Sequence, residues 1–255
     1  MEAPMNIITP TNTKAAIGVA DDPSGLGDGV ALLRLQTWLS PSFPVGAYTY
    51  SHGVETAIEA GLVGDVGSLT RWVDGALRFG TGRLDGAFFR AAWEGVAHEN
   101  DDRLACAIIH ADTMRGTREL ALESEAQGKA FLDAVEKAWD FPALAHLRAV
   151  LANLDRPAPY PVAVGAIAAG AGIALKPALR MFLHAFAANI VSAGVRLVPL
   201  GQSDGLRALA ALEDVILEAA KTALKQSPDD LGAAAPLIDW ASMKHETQYT
   251  RLFRS

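Results

Sequence analysis

Two adjoining segments, residues 162–175 and 177–197, constrain the fold of this chain most strongly, because polar side chains are sparse in both. Each segment is rich in alanine and glycine, whose small side chains let helix backbones approach closely. Pro177 suits the first turn of a helix, where its missing N–H breaks no hydrogen bond. The pattern predicts two helices buried in the centre of the protein.

The rest of the chain follows the same helical period. One face of a predicted helix carries Leu69, Trp72, Val73, Ala76 and Leu77 at i, i+3, i+4, i+7 and i+8. Aromatic residues make up only 7% of the chain and alanine is abundant, a composition that favours closely packed helices over sheet. We therefore predict an all-α fold, a single helical domain of roughly ten helices.

Local signals place several helix boundaries and faces. Ser68 is expected to cap the helix that carries this apolar face, and Ser203 or Asp204 to open one last long helix. Residues 118–139 form the most polar long helix, for which we expect Glu119 and Glu123 to face outward. We further expect Arg115, Arg118 and Glu119 to form a solvated ladder of pairs about four residues apart.

Breaker residues define the domain organisation. Residues 1–27 lack periodicity and end in a cluster of Asp, Pro and Gly, so we expect a disordered N-terminal extension. The segment DRPAPYP, residues 155–161, is interpreted as a loop inside one helical domain spanning residues 28–238, since both flanks are equally apolar. Residues 239–255 are expected to form a separate C-terminal tail that binds a partner.

Bulk properties exclude several classes of protein. A formal net charge of −7 argues against nucleic acid as the main partner, because phosphate binding needs a basic surface. The single cysteine, Cys106, excludes an internal disulfide framework and suits a reducing compartment. No export signal is visible, and the most membrane-like stretch, residues 161–175, is too short to span a bilayer. We expect a soluble cytoplasmic protein without a membrane partner.

Signatures of catalysis and of stable metal binding are lacking. The sequence has no phosphate-binding G-x-x-x-x-G-K-[ST] motif and no G-x-S-x-G nucleophile elbow. Cys106 and His110 could face one ion from a single helix, but a buried thiol beside an ordinary histidine is the favoured interpretation. We therefore expect neither enzymatic activity nor a resident metal or cofactor.

The C-terminal segment SMKHETQYTRLFRS, residues 242–255, interleaves large apolar groups with arginines. Residues of these types anchor protein interfaces, although the segment could equally fold back onto its own core. Glu55 admits two interpretations as well, a local cap or salt bridge and an anchor for a partner's arginine or lysine. Arg196, at the end of an apolar helix, must be paired within the chain or with another subunit.

Three blocks of the sequence resemble the UreF family of urease accessory proteins. They are SPSFPVGAYTYSHGVE at residues 40–55, AGVRLVPLGQSDG at residues 193–205, and the C-terminal segment with its HETQY and RLFRS elements. The blocks occur in the family's order and span most of the chain. Departures are small, with Val54 where leucine is commoner and Leu206 where a polar residue often follows the glycine.

The resemblance implies an all-helical, non-enzymatic adaptor that is commonly a homodimer. It implies a bridge between a UreD-type (UreH-type) scaffold protein and the nickel-carrying GTPase UreG, in a complex that delivers nickel to apo-urease. The implied scaffold contacts are His245, Tyr249, Arg251, Leu252, Phe253 and Arg254. Glu55 with its neighbours His52 and Tyr48 is expected at the GTPase-facing or dimer surface, and Arg196 is a further candidate for partner binding. The alternative is a helical enzyme or carrier whose Ala/Gly-rich core forms a small-molecule pocket.

Overall fold

The computed structural model describes residues 29–255, so the expected extension at residues 1–27 lies outside the described residues. Within that range the chain is all-α, as predicted, and contains no strand. The α-helices are α1 Gly29–Trp38, α2 Val54–Glu59, α3 Val66–Arg78, α4 Thr81–Ala97, α5 Asp101–Thr113, α6 Arg118–Ala138, α7 Pro142–Leu154, α8 Tyr160–Gly170, α9 Leu175–Leu197, α10 Gln202–Ala211, α11 Glu213–Lys225 and α12 Pro236–His245. Short 3₁₀ turns lie at Ala47–Thr49 and Pro228–Asp230.

Helices α4 and α8 pack along each other in the centre, with α5, α6 and α9 around them. Helix α8 is buried from Pro161 to Ala168, which confirms the first of the two predicted core helices. Its glycine allows the close approach, because a Cβ on Gly165 would lie 2.4 Å from the carbonyl oxygen of Phe89 on α4. The small residues of this segment therefore serve helix packing.

Helix α9 is longer than the membrane-like stretch singled out from the sequence. At 23 residues with a mean hydropathy of 1.4 in its most apolar window, it is long and apolar enough to cross a bilayer by length and composition alone. Half of that window is buried inside the fold. A core helix of a water-soluble protein has the same properties, so α9 is weak support for a membrane span.

Two predicted helix boundaries are corrected by the structure. Asp65, rather than Ser68, is the N-cap of α3; its side chain accepts the Ser68 N–H at 2.7 Å, and Ser68 Oγ accepts the N–H of Asp65 in return. The predicted last long helix is divided into α10 and α11 at Leu212, which is fully buried.

The predicted outward face of α6 is wrong for its first turns. Glu119 and Glu123 are both buried, because this face of α6 lies against the C-terminal segment and the start of α2. The expected solvated ladder is wrong for Arg115 too, since its side chain is buried in an ion pair with Asp85 of α4. These buried charges lie at the candidate site.

Candidate functional site

Helix α12 brings the C-terminal segment back to the core. The helix starts at Pro236 and continues without a break through residues 238 and 239, where the sequence had predicted a domain boundary. Helix α12 packs on α2, and the approach is close: a Cβ on Gly53 would lie 3.0 Å from the Ser242 nitrogen. Gly53 also has a φ of 76°, a backbone conformation that glycine adopts without strain. Residues 239–255 are thus continuous with the helical domain.

A buried histidine at the end of α12 joins two other helices. His245 is fully buried, with Nε2 lying 3.0 Å from Glu55 Oε2 of α2 and Nδ1 lying 2.8 Å from Glu119 Oε2 of α6. Because each ring nitrogen faces a carboxylate oxygen, the arrangement is satisfied when both nitrogens donate. We call Glu55, His245 and Glu119 the Glu–His–Glu clamp.

The clamp also holds the last residues of the chain. Glu55 Oε1 accepts the backbone N–H of Leu252 at 2.6 Å, and Oε2 accepts that of Phe253 at 2.9 Å. Glu119 Oε1 accepts a bond from Arg251 Nη1 at 3.2 Å. Burial raises the pKa of Glu119, an effect that its bonds with His245 and Arg251 oppose. Glu55 is therefore a backbone anchor for its own chain in this structure.

Main-chain bonds fix the end of the segment beyond the clamp. The main-chain oxygen of Ser255 accepts the N–H of Ser51 at 2.6 Å and also the Ser51 hydroxyl, and Arg254 N–H donates to the Thr49 carbonyl at 2.7 Å. Ser255 Oγ donates to Glu123 Oε2 at 2.9 Å. Ser255 is consequently fully buried.

A second group of buried charges lies next to the Glu–His–Glu clamp. Glu123 connects this group to Ser255 of the C-terminal segment. His52 Nε2 lies 3.0 Å from Glu123 Oε1, and Arg115 Nη1 donates to Asp85 Oδ1 at 2.6 Å. Burial is the largest single influence on the pKa of His52 and lowers it, but Glu123 and Asp85 together raise it, so the net shift is upward. Burial raises the pKa of Asp85 against the opposing effect of Arg115. We call His52, Asp85, Arg115 and Glu123 the buried charge cluster.

The predicted partner-binding residues divide into buried and exposed groups. His245 and Phe253 are buried against their own chain, so they hold the segment rather than face outward as it stands. Tyr249, Leu252 and the arginines at 251 and 254 are exposed. Of the two interpretations of the C-terminal segment, folding back onto its own core agrees with the structure, because backbone bonds to Glu55 and Thr49 keep the segment in place. A role in partner binding stays a prediction.

Arg196 meets the segment in a different way from the expected ion pair. Its guanidinium carbon lies 4.4 Å from the centroid of the Phe253 ring, a cation–π contact, and Nε donates to the Ser192 carbonyl at 3.2 Å. Partial burial lowers its pKa, although Tyr48 has a smaller opposing effect. Tyr48 itself is largely exposed. Arg196 thus contacts the tail, and Tyr48 presents an accessible ring nearby.

The candidate metal pair lies on the surface. Cys106 and His110 of α5 are both exposed, so the expectation of a buried thiol is wrong. Within residues 29–255, no group of three or more His, Cys, Asp or Glu side chains is arranged to hold a metal ion.

Sequence reasoning missed the acidic partners on α6 and α4. A signal was present in the row Glu119, Glu123 and Gln127, which repeats every four residues and so lies along one helix face. This row turns inward and continues to the buried Phe131. The sequence contained no comparable signal for Asp85. Its partner Arg115 lies on the segment between α5 and α6, so no helical spacing relates the two residues.

Comparison with known proteins agrees with this architecture. The family model described as UreF matches residues 63–213. The urease accessory protein UreF of Granulibacter bethesdensis is 47% identical over 232 residues, covering 91% of this chain and 97% of that protein. A urease accessory protein UreF of Rhodopseudomonas palustris is 48% identical over 233 residues, with the same coverage of both chains. The chain therefore belongs to the UreF family, whose members are named as accessory proteins and not as enzymes.

Proposed function

We propose that this protein is a non-enzymatic adaptor in the maturation of urease. In this proposal it bridges a UreD/UreH-type scaffold protein and a UreG-type GTPase in the cytoplasm, so that nickel, the cargo, reaches apo-urease. It acts as a homodimer and influences when the GTPase hydrolyses GTP. Support comes from the family match over most of the chain and from the way in which the C-terminal segment is presented.

The observation that carries the proposal is an exposed apolar surface held on a fixed backbone. Tyr249 is fully exposed and Leu252 is 68% exposed, while the residues beside them are anchored to the core. Helix α12 adds the exposed side chains Leu237, Trp240 and Met243. Exposed apolar groups that cluster on a surface mark interaction sites, and these five side chains lie within one short stretch of the chain, residues 237–252. We call Tyr249, Leu252 and these three α12 residues the tail face.

The arrangement suits a scaffold partner with apolar pockets and a carboxylate rim. Aromatic and arginine side chains contribute most of the binding energy in many interfaces, and Arg251 and Arg254 lie exposed beside the tail face. Because Glu55 and the main chain already hold the segment in one conformation, less conformational entropy is lost when a partner binds. The proposed scaffold contact therefore uses a preorganised surface.

The GTPase contact is proposed for the surface around Tyr48, which precedes Glu55 by seven residues. Glu55 and His52 are buried, so a direct contact with a GTPase would require the tail to move. Tyr48 is exposed and lies near Arg196, which contacts Phe253 of the tail. We propose that Tyr48 provides the accessible contact and that Glu55 acts on it through the position of the tail.

The test uses point variants because deletion of residues 252–255 would also remove hydrogen-bond partners from Ser51, Glu55 and Glu123 in the interior. The chain and its Tyr249→Ala/Leu252→Ala variant are each co-expressed with UreD-type and UreG-type proteins. Complexes are measured by size exclusion with light scattering, with and without GTP and nickel. Leu206→Ala is the matched control, because Leu206 of α10 is equally exposed but distant from the tail face in sequence.

We expect the wild-type chain and the control to form a three-component complex. The double variant should lose the scaffold partner while its circular dichroism spectrum stays helical. Equal recovery of the scaffold by the double variant would contradict the proposed role of the tail face. Absence of any complex with the wild-type chain would contradict the adaptor function itself.

A further inference from the structure

A cavity of about 330 Å³ lies beside the buried charge cluster. Its walls come from α1, α4, α6 and α9 and from the loop that follows α1, with one contribution from α8 at Tyr160. Volumes of this size are typical of small-molecule sites. One of the two Ala/Gly-rich segments, α9, forms a wall of the cavity, so the cavity overlaps in part with the pocket that the sequence suggested as an alternative.

Three buried groups that line the cavity, Trp38, His52 and Arg115, have hydrogen-bonding atoms without a partner; in Trp38 the atom is the indole Nε1. His52 is 8% exposed and its Nδ1 is unpaired, and the Arg115 side chain is 4% exposed with Nη2 unpaired. The other polar atoms of these side chains are used, by Glu123 and by Asp85 and the Ala111 carbonyl. Unpaired buried polar atoms are rare in native proteins, because each costs free energy unless something binds it.

The carboxylates of the cluster already have donors. Glu123 Oε1 accepts from Gln127 Nε2 at 2.8 Å and faces His52 Nε2, while Oε2 accepts from Ser255 Oγ. Asp85 is paired with Arg115. The unused capacity is therefore donor capacity: two N–H groups at Arg115 Nη2, the indole N–H of Trp38, and Nδ1–H of His52 when the imidazole is protonated. A ligand that fits these atoms must bring hydrogen-bond acceptors.

The rest of the wall mixes polar side chains with a set of large apolar ones. Leu35 and Trp38 of α1 and Phe182 and Phe186 of α9 line the cavity, and the Phe186 ring lies 4.9 Å from the His52 ring. We propose that this cavity binds a small carboxylate that carries an apolar group, with the carboxylate at Arg115 and His52 and the apolar group against Trp38 and the phenylalanines. This site is independent of the adaptor function and needs none of its partners.

Three probes separate the features of the proposed ligand. Benzoate has both the carboxylate and an apolar ring, benzamide replaces the charge with a neutral amide, and acetate lacks the ring. Isothermal titration calorimetry on the purified full chain should show saturable binding of benzoate. Benzamide and acetate should each bind at least about tenfold more weakly, because one of the two complementary contacts is missing. Failure of benzoate to bind, or equal binding of all three probes, would overturn the proposal.

Two variants locate the site. Ala185→Leu places a larger side chain into the cavity from the α9 wall without touching the charged groups, and should abolish benzoate binding. Ala149→Leu, at an exposed position of α7, is the matched control and should bind as the wild type does. Arg115→Lys keeps the charge opposite Asp85 but removes the fork that bears Nη2, and should weaken benzoate by about tenfold or more. Unchanged benzoate binding by a folded Ala185→Leu protein would also overturn the site.

Discussion

Replacing Glu55 with alanine is expected to release the C-terminal segment while the helical domain stays folded. Glu55 accepts three hydrogen bonds, from His245 at 3.0 Å, Leu252 N–H at 2.6 Å and Phe253 N–H at 2.9 Å. A hydrogen bond to a charged group contributes about 1.5 kcal/mol or more, so the three together stabilise the closed segment by roughly 4–5 kcal/mol. That energy corresponds to about a thousandfold in the equilibrium between closed and open segment.

Native-state hydrogen exchange measures this equilibrium directly. The amides of Leu252 and Phe253 should lose up to about a thousandfold of their protection in the Glu55→Ala protein, since local opening exposes them to solvent. Amides in α8, which is buried at the centre of the fold, should change far less. Trypsin should also cleave after Arg251 more readily in the variant, because only the open segment can enter the active-site cleft of the protease.

The matched control is Glu59→Ala, which removes a carboxylate from the exposed side of the same helix. It should leave the exchange of Leu252 and Phe253 as in the wild type. If Glu55→Ala preserved the protection of both amides, the clamp would not be what holds the segment, and the apolar contacts of Phe253 would have to do so. If α8 lost protection equally, the segment would be part of one cooperative unit with the core.

Three further variants test the interior. Gly128→Ala should lower the free energy of unfolding in urea by about 3 kcal/mol or more, because its Cβ would lie 1.9 Å from the Ala158 carbonyl oxygen. Arg115→Ala should cost about 3–5 kcal/mol in the same assay by leaving Asp85 buried without its partner. His52 has a raised pKa in the folded state, so its contribution to stability is complete below pH ~6.5 and lost as the pH rises through the folded value; His52→Gln should remove that part of the pH dependence of urea unfolding.

The fold was predictable because apolar spacing and breakers report on local structure. Residues 162–175 and 177–197 produced the two core helices, and the apolar face beginning at Leu69 is buried as expected. Boundaries were less accurate where capping decided them, as at Asp65. No helix-breaking residue marks the division between α10 and α11 at Leu212, since leucine itself favours helix.

The candidate site was predictable in its members but not in its arrangement. Glu55 and His245 were both named from sequence, yet they are 190 residues apart and their contact depends on how α12 returns to α2. Glu119 was assigned to solvent because a carboxylate on a polar helix normally lies outside. Its burial follows from a partner 126 residues away, and a single sequence contains no signal for such pairing.

The clamp explains why a polar anchor is used where apolar burial would be simpler. Along residues 252–255 the side chains alternate, with Leu252 and Arg254 exposed and Phe253 and Ser255 buried. A buried ion pair adds little stability compared with well-packed apolar groups, but it can specify a single arrangement. Glu55 binds two consecutive backbone N–H groups, which any register of the segment could supply, but a shift by one residue would expose Phe253 and bury Arg254. The clamp thus positions the backbone, and the burial of Phe253 and Ser255 selects the register that turns Leu252 outward, which is the register that the proposed scaffold contact requires.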